Sequence, residues 1–596
     1  MSIKGDMKPV PFIEDAAVPV EFLPDYVKGI EEYCRGLDTP ISYYAHASAG
    51  CLHIRPLINT RSAREVGRMP DIARFSAELV KSFGGALSSE HGDGRSRSWL
   101  NEMFFGPELY GLFRQVKQIC DPRNLFNPGM IVDAPGMGEN LRLVPSEHGS
   151  ARLDFSDYSH GEPVQLRVVN KVYPDIVPAT GFVRSIEMCN GAGICLKRQS
   201  GTMCPSFMVT RDEMHSTRGR ANALRATMTG LLPPEALTGS PLYEVMDLCI
   251  SCKGCKAECP SAVDMARLKL EFLARYHEVH GVPLRSRLFG NLSVLNRLAA
   301  GRISAVANRI MQNQILRRRL GITIQRPLPR LARQTFESWW RDRNQGRTAS
   351  QTDGSAGRIV LLIDVFTNYY YPEVGIAAVE FLSAAGWDIA AAPVLDEGRS
   401  QISKGLLAAA RRASAATLNE LESHARARLP IVGLEPSSLL TLRDEYHYLL
   451  PGDSRVPIVA GLAQTFEEFV AVQAMDTGLD VEFRAEPKRI LLHGHCHQKA
   501  LVGTAPARAI LSLPPGNFVE EVDSGCCGMA GSFGYEAEHY EISMKMAERR
   551  LLPAVRQASG DTVIVAAGIS CREQIAHGTG RVALHPAEVL RNALAP

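Results

Sequence analysis

The sequence has no uninterrupted apolar run long enough to span a bilayer, so a membrane-spanning helix is not expected. Its opening residues, MSIKGDMKPVPFIEDAAVP, lack the apolar stretch that a secretory signal requires. An excess of charge is missing too. The 66 basic and 64 acidic residues leave a net charge of +2, too little to steer the chain toward nucleic acid or an anionic membrane. At 596 residues, with 45% hydrophobic and 22% charged, the composition is that of several globular domains, each with its own core. The expectation is a cytoplasmic protein with no nucleic-acid partner; peripheral attachment at the inner membrane is left open.

Cysteine, by contrast, is plentiful. Of fourteen, eleven fall into ligand-like groups, and only Cys34, Cys51 and Cys120 stand apart, where buried structural thiols are expected. The run CISCKGCKAECP places Cys249, Cys252, Cys255 and Cys259 before Pro260, the spacing of a bacterial-type [4Fe-4S] segment. In such segments three close thiolates serve one cubane and the cysteine before proline serves a second, so a partner motif is required. CNGAGICLKRQSGTMCP supplies Cys189, Cys195 and Cys204 before Pro205, but Ala192 stands where a second cysteine is expected. Crossed ligation assigns Cys249, Cys252, Cys255 and Cys204 to one cubane. It leaves Cys189, Cys195 and Cys259 for a second cluster, which is then either [3Fe-4S] or completed by a non-cysteine ligand. A structural zinc site is the alternative for any CxxC pair. Near the C-terminus, Cys496, the pair Cys526 and Cys527, and Cys571 form another soft-ligand set for iron-sulfur or zinc. His493, His495 and His497 flank Cys496, and strand alternation would put the three histidines on one face and the thiol on the other.

The pattern along the chain predicts a multidomain α+β and α/β protein. Residues 1–135 alternate short strands and helical stretches and end in DPRNLFNPGMIVDAPGMGEN, whose proline and glycine mark a boundary. Residues 165–285 embed the first cysteine motifs in helix-favouring sequence. A basic helical connector and polar linker occupy 286–355, with the charges read as a solvated face. Two similar α/β lobes follow, at 356–480 and 487–596. RIVLLIDVF near 358 matches RILLHGHCH near 489 in role, and GLEPSSLLTLRD near 433 parallels AAGISCREQI near 567. Only the second lobe keeps thiols; Asp396, Glu397 and Ser438 stand in the first where thiols would be. In the N-terminal domain, His46 and His53 flank AlaSerAlaGly, so a hairpin would bring two imidazoles together, and Glu90 would complete an open three-ligand divalent metal site. Arg55 is a candidate partner for a substrate carboxylate, against the simpler reading of a surface arginine. HGDG at 91–94 is too short to mark a phosphate loop.

These motifs together carry a family resemblance over nearly the whole chain. PFIEDAAVP, AHASAGCLHIRP, SSEHGDGRS and DPRNLFNPGM in residues 1–135 resemble the ferredoxin-like C-terminal cap domain of FAD-linked D-2-hydroxy acid dehydrogenases, the group of D-lactate, glycolate and D-2-hydroxyglutarate dehydrogenases. Residues 165–285 resemble a helical two-cluster 4Fe-4S ferredoxin module. HGHCHQKAL and DSGCCGMAGSFGYE resemble the two-lobed CCG domain of heterodisulfide reductases and glycolate oxidase iron-sulfur subunits. The resemblance implies a zinc or manganese ion on His46, His53 and Glu90 that binds the substrate's carboxylate and hydroxyl. It implies His91 as the base that removes the hydroxyl proton while hydride passes to FAD, and Asn127 as a residue approaching the flavin. The departures from the usual GHAGDGNLH pattern are Ala45, AlaSerAlaGly and Cys51, and they bear on substrate choice; Gln574 replaces the final CCG-domain cysteine. The family's flavin domain would precede residue 1, so FAD is expected from a missing segment or a separate polypeptide. The implied function is the C-terminal part of an FAD-dependent D-2-hydroxy acid (D-lactate-like) dehydrogenase, passing electrons through iron-sulfur clusters to a quinone or cytochrome. The alternative is a non-catalytic iron-sulfur electron-transfer component of a glycolate oxidase-like or heterodisulfide reductase-like complex.

Overall fold

The computed structural model describes residues 7–139, 141, 166–168, 171–173, 182–228, 231–344, 356–392 and 396–596. The linker expected around 345–355, and most of the stretch around 165–181, lie outside them. The fold is mixed α/β and divides into two units, one built mainly from residues 1–154 and the other mainly from 233–596 with 185–227.

In the first unit, β1 (Met7–Pro9) and β2 (Ile13–Ala17) run end to end along one edge of the central strand β4 (Cys51–Asn59), and β3 (Ile41–His46) pairs with its other edge, all antiparallel. Helix α1 (Leu23–Gly36) buries Tyr26, Ile30 and Cys34, spaced one helical turn apart. Helix α2 (Ala63–Ser82) opens with Ser62 accepting the Glu65 N–H and buries Met69, Ile72, Ala73, Ala77 and Val80. A final strand shrinks to one bridge, Ala86 to Ala17. The strand order is therefore Ala86, β2, β4, β3, with one helix after each of β2 and β4, the arrangement of a split βαβ sandwich. Two features of this frame matter for the site. The β3–β4 turn is closed by Gly50 at φ 66°, where a Cβ would lie 1.9 Å from the Val18 carbonyl oxygen, so only glycine fits. The β2–β4 register slips between Glu14 and Ala16, making Asp15 a bulge at φ 77°. A short hairpin of β5 (Leu166–Val168) and β6 (Lys171–Tyr173) also belongs to this unit.

The second unit begins with short helices around the cysteine motifs and continues into two parallel sheets. The first contains β7 (Gly357–Leu362), β8 (Trp387–Ala391), β9 (Ile431–Gly433) and β10 (Ala463–Thr465), in the spatial order β8, β7, β9, β10. The second contains β11 (Arg489–Leu492), β12 (Phe518–Glu521), β13 (Val563–Val565) and β14 (Ala583–Leu584), ordered β12, β11, β13, β14. Both sheets thus repeat one topology, first strand central with the second on one side and the third and fourth on the other. Their near-continuous apolar runs, such as IVLL and ILL, are those of strands covered on both faces. Ile359, Leu361 and Val432 of the first sheet share one core with Ile490, Leu492 and Val565 of the second. In such a sheet ligand groups collect beyond the carboxyl ends of the strands, where the strand order reverses.

Candidate functional site

Alternation along β3 and β4 puts Tyr44 and His46 on the same face as their cross-strand partners His53 and Cys51. Tyr44 stacks on His53 with ring centroids 4.4 Å apart. Glu90 reaches this face from the loop after Ala86. Its Oε1 lies 2.9 Å from His53 Nε2, 3.6 Å from His46 Nε2 and 3.5 Å from His91 Nε2. The ligand atoms of His46, His53 and Glu90 all fall within 4.8 Å of one another. His53 is buried, whereas His46, Glu90 and His91 are about half exposed, so the group opens on one side. This suits a divalent ion with positions left for substrate.

Two carboxylates that the sequence reading missed organise the group from behind. Glu14 Oε1 stands 3.6 Å from His53 Nδ1 and 3.5 Å from His91 Nδ1. Burial raises the Glu14 pKa, but the hydrogen bonds and charge of Arg55, with His53 and His91, outweigh it and hold the group below its ordinary value. The Arg55 guanidinium is itself occupied, with Nε 2.8 Å and Nη2 3.0 Å from Glu14. It therefore positions Glu14. Asp15, pushed out by the bulge, accepts the N–H groups of Ser89, Glu90 and His91 and the hydroxyls of Ser88 and Ser89. Burial is outweighed here too, and the carboxyl is lowered to about 2. Cys51 is buried as expected but lies within the group, accepting the Ser89 hydroxyl at 3.1 Å. Cys34 is buried; Cys120 is exposed, on the open side of helix Pro107–Cys120, contrary to expectation. Asn127 sits exposed at φ 47° in the turn after that helix, outside the histidine group.

In the second unit Cys204, Cys249, Cys252 and Cys255 line one small cavity. The Cys249–Cys255 loop wraps it through left-handed Ser251 and Lys253, and Lys253 is buried against Asp444 at 2.8 Å and Glu445 at 2.5 Å. The fully buried Arg220 donates to Cys204 Sγ at 3.4 Å, placing a positive charge beside the thiol, as a cluster of negative thiolates needs. Burial first, and then the neighbouring Cys496, Cys204 and Cys255, push the Cys252 thiol well up. Cys189 and Cys195 are buried and Cys259 is half-buried; Arg218 N donates to Cys195 Sγ at 3.3 Å. No side chain emerges among the described contacts as a fourth ligand for that set.

The remaining four thiols collect beyond the carboxyl ends of three strands of the second sheet: Cys496 after β11, Cys526 and Cys527 after β12, and Cys571 after β13. The Cys496 thiol is lowered to about 7, chiefly by hydrogen bonding to Cys526 and next by the His495 charge, against burial. Cys527 is held low by hydrogen bonds from Cys526 and Cys571. His493 Nδ1 bonds Ser524 at 2.7 Å, and His493, Cys527 and Cys571 present ligand atoms within 4.8 Å of one another. The alternation expected for the three histidines does not occur, because β11 stops at Leu492. His493 instead turns toward the thiols, His495 caps helix Cys496–Leu501, and His497 Nε2 lies 3.1 Å from the Ser251 carbonyl oxygen. That contact joins the two cysteine sites, and Cys252 shares one core with all four C-terminal thiols. By register, the first sheet has Val365, Asp396, Glu397 and Ser438 at the positions of Cys496, Cys526, Cys527 and Cys571.

Residues 1–131 match the family of FAD linked oxidases, C-terminal domain. Residues 185–263 match the 4Fe-4S dicluster domain. The chain is 28% identical to a D-2-hydroxyglutarate dehydrogenase of Pseudomonas putida, an alignment covering 99% of this chain and 59% of that protein. It is 26% identical over 291 residues to one of the subunits of the anaerobic glycerol-3-phosphate dehydrogenase of Escherichia coli, covering 47% of this chain and 69% of that protein. A D-lactate dehydrogenase of Archaeoglobus fulgidus is 32% identical over 133 residues, 22% of this chain and 29% of that protein. The chain spans about three fifths of the length of the curated relatives it matches from end to end.

Proposed function

We propose that this chain is the substrate-handling and electron-relay part of an FAD-dependent D-2-hydroxy acid dehydrogenase. The observation that carries the proposal is the open His46, His53 and Glu90 group, with His91 beside it and Glu14 behind, on a chain whose other unit joins two thiol sites through His497 and Ser251. D-2-Hydroxyglutarate is the first acid to test, because relatives carrying that name align with 98–99% of the chain; D-lactate, whose namesake aligns with the cap alone, is the second.

His46, His53 and Glu90 would hold the divalent ion, and Cys204, Cys249, Cys252 and Cys255 one cluster. Cys496, Cys526, Cys527 and Cys571 would hold the site beyond it. A bound metal supplies acidity to the substrate hydroxyl, FAD a hydride acceptor, and the clusters one-electron carriage. His91 receives the hydroxyl proton at Nε2, the ring nitrogen on the side of Glu90, while Glu14 at Nδ1 stabilises the resulting charge and fixes the ring. Asp15 keeps His91 and Glu90 on one rigid loop by holding their N–H groups. The exposed apolar stripe Leu109, Leu112, Val116 and Ile119 on helix Pro107–Cys120 gives a flavin-bearing partner a face to cover.

The test is D-2-hydroxyglutarate- and D-lactate-dependent dye reduction by anaerobically purified protein, with and without a flavoprotein partner. His91→Ala is expected to lower turnover by about 100-fold or more with iron content unchanged, the usual scale for a lost general base. Wild-type activity in that variant would remove the proton-transfer role. The similarity to one component of a multi-subunit dehydrogenase favours a second reading, a relay without turnover of its own. Full iron content with no acid-dependent reduction under any flavin supply would select it.

A further inference from the structure

We infer that His493 is a ligand of an iron-sulfur cluster at the C-terminal thiols, taking the role of the cysteine that Gln574 replaces. The inference rests on the relay reading above. His493 directly follows β11 and is 1% exposed, and one of its ring nitrogens lies within 4.8 Å of both Cys527 Sγ and Cys571 Sγ. Nδ1 is already engaged, 2.7 Å from Ser524 Oγ. Ser524 in turn donates its hydroxyl proton to the Val522 carbonyl oxygen at 3.4 Å, so the imidazole donates from Nδ1 and keeps a lone pair on Nε2. That Nε2 is buried without a hydrogen-bond partner. An imidazole fixed through one nitrogen by an oxygen, with its other nitrogen bare beside two thiols, has the surroundings of a metal-bound histidine.

Neither neighbouring histidine is so placed. His495 Nδ1 accepts the His497 N–H, and His497 Nε2 is held at the Ser251 carbonyl oxygen. Gln574 is fully buried with its amide nitrogen donating to the Ser543 carbonyl oxygen at 3.2 Å, and an amide is a harder ligand than iron-sulfur chemistry prefers. A cavity of about 180 Å³ opens from Cys496, Cys526 and Cys527 between Arg399, Glu573 and several serines. His493 and Cys571 are not on its wall, so on that inner side the chain itself must supply the ligands. The first sheet serves as an internal control. By register the position of His493 is Leu362 there, buried in an apolar core, and that lobe contains no cysteine. Histidine and thiols are thus present together and absent together. A bare imidazole nitrogen buried at a leucine position is costly, and a bond to metal removes that cost. A neutral imidazole in place of a fifth thiolate leaves the site less negative, and histidine in place of cysteine raises a cluster's potential. The C-terminal site then collects electrons. One electron leaves the cluster on Cys204, Cys249, Cys252 and Cys255, which is oxidised, and enters the His493 site, which is reduced; no bond changes and no further reactant is needed.

The test is electron paramagnetic resonance on the anaerobically purified full chain, with isotopically labelled histidine, poised at successively lower potentials with dithionite and redox dyes. The expected result is that the first signal to appear carries the strong hyperfine coupling of a directly bound imidazole nitrogen. His493→Cys should keep the iron, abolish that coupling and shift the midpoint potential of this site downward. His497→Gln should leave the coupling in place. Ser524→Ala, which frees the ring, should weaken the hold on this iron against a chelator about tenfold, the scale for a lost partner of a metal-bound histidine. Strong coupling that persists in His493→Cys, or only the weak coupling of a hydrogen-bonded nitrogen in the unmodified chain, would overturn the ligand and leave the relay standing. Zinc in place of iron at the C-terminal thiols would overturn it as well. Iron content near zero in the whole chain would instead sink the relay reading beneath it.

Discussion

Asp15 shows how one side chain can hold a site it does not enter. It is fully buried at a bulge, and five hydrogen bonds converge on its carboxylate from residues 88–91. Left-handed backbone is tolerated by aspartate better than by most residues. Asp15→Asn keeps the size but trades an all-acceptor group for one that must donate toward N–H groups. A loss of about 1.5–3 kcal/mol in stability is expected from urea denaturation, the scale for hydrogen bonds to a buried charge. An unchanged midpoint would show that the 88–91 loop is ordered by other means. The same residues mark where the sequence reading ran out. His46 and His53 were legible because a seven-residue spacing across a glycine turn is a hairpin. Glu14 and Asp15 lie more than 30 residues before His53, and only the bulged register brings them to it. Arg55 looked free because its partner Glu14 was invisible for the same reason.

At the scale of elements, the two sheets present one scaffold carrying different chemistry. The sequence repeat was readable in the paired strand motifs, and so was the loss of thiols from the first copy. What the substitutions do there was not readable. Glu397, at the position of Cys527, is buried and its carboxyl is pushed up to about 8, by burial first and then by the charges of Asp396 and Asp364. Because its unfolded value is about 4.3, the folded chain keeps a proton that the unfolded chain releases between those values, so this group lowers stability as pH rises from about 4 to about 8. Glu397→Gln should therefore raise the melting temperature at about pH 9 and change it little at about pH 5. An equal shift at both would mean that the charge is compensated. Element ends were the other weak point. The alternation expected of His493, His495 and His497 failed because the strand ends at Leu492 and the chain turns into a helix at Cys496, and sequence pattern places such ends poorly.

For the whole molecule, the account is a division of labour. The first unit carries an open His, His, Glu group with His91 beside it, and the second carries two adjoining thiol sites with a cavity opening from one of them. The cysteine series was largely legible because ligand spacing within a tight loop is a local property. The Arg220 charge beside Cys204 and the His497 link between the thiol sites depend on tertiary packing and were not. No helix among the described residues is long and apolar enough to cross a membrane, which agrees with the absence noted at the start. The most direct test of the central claim is a single anaerobic mixing experiment. Purified protein, supplied with its flavin-bearing partner, is mixed with D-2-hydroxyglutarate, and the iron-sulfur absorbance is followed. The account predicts bleaching by the D acid and none by the L acid. Clusters that dithionite bleaches but no D-2-hydroxy acid can reduce would contradict it.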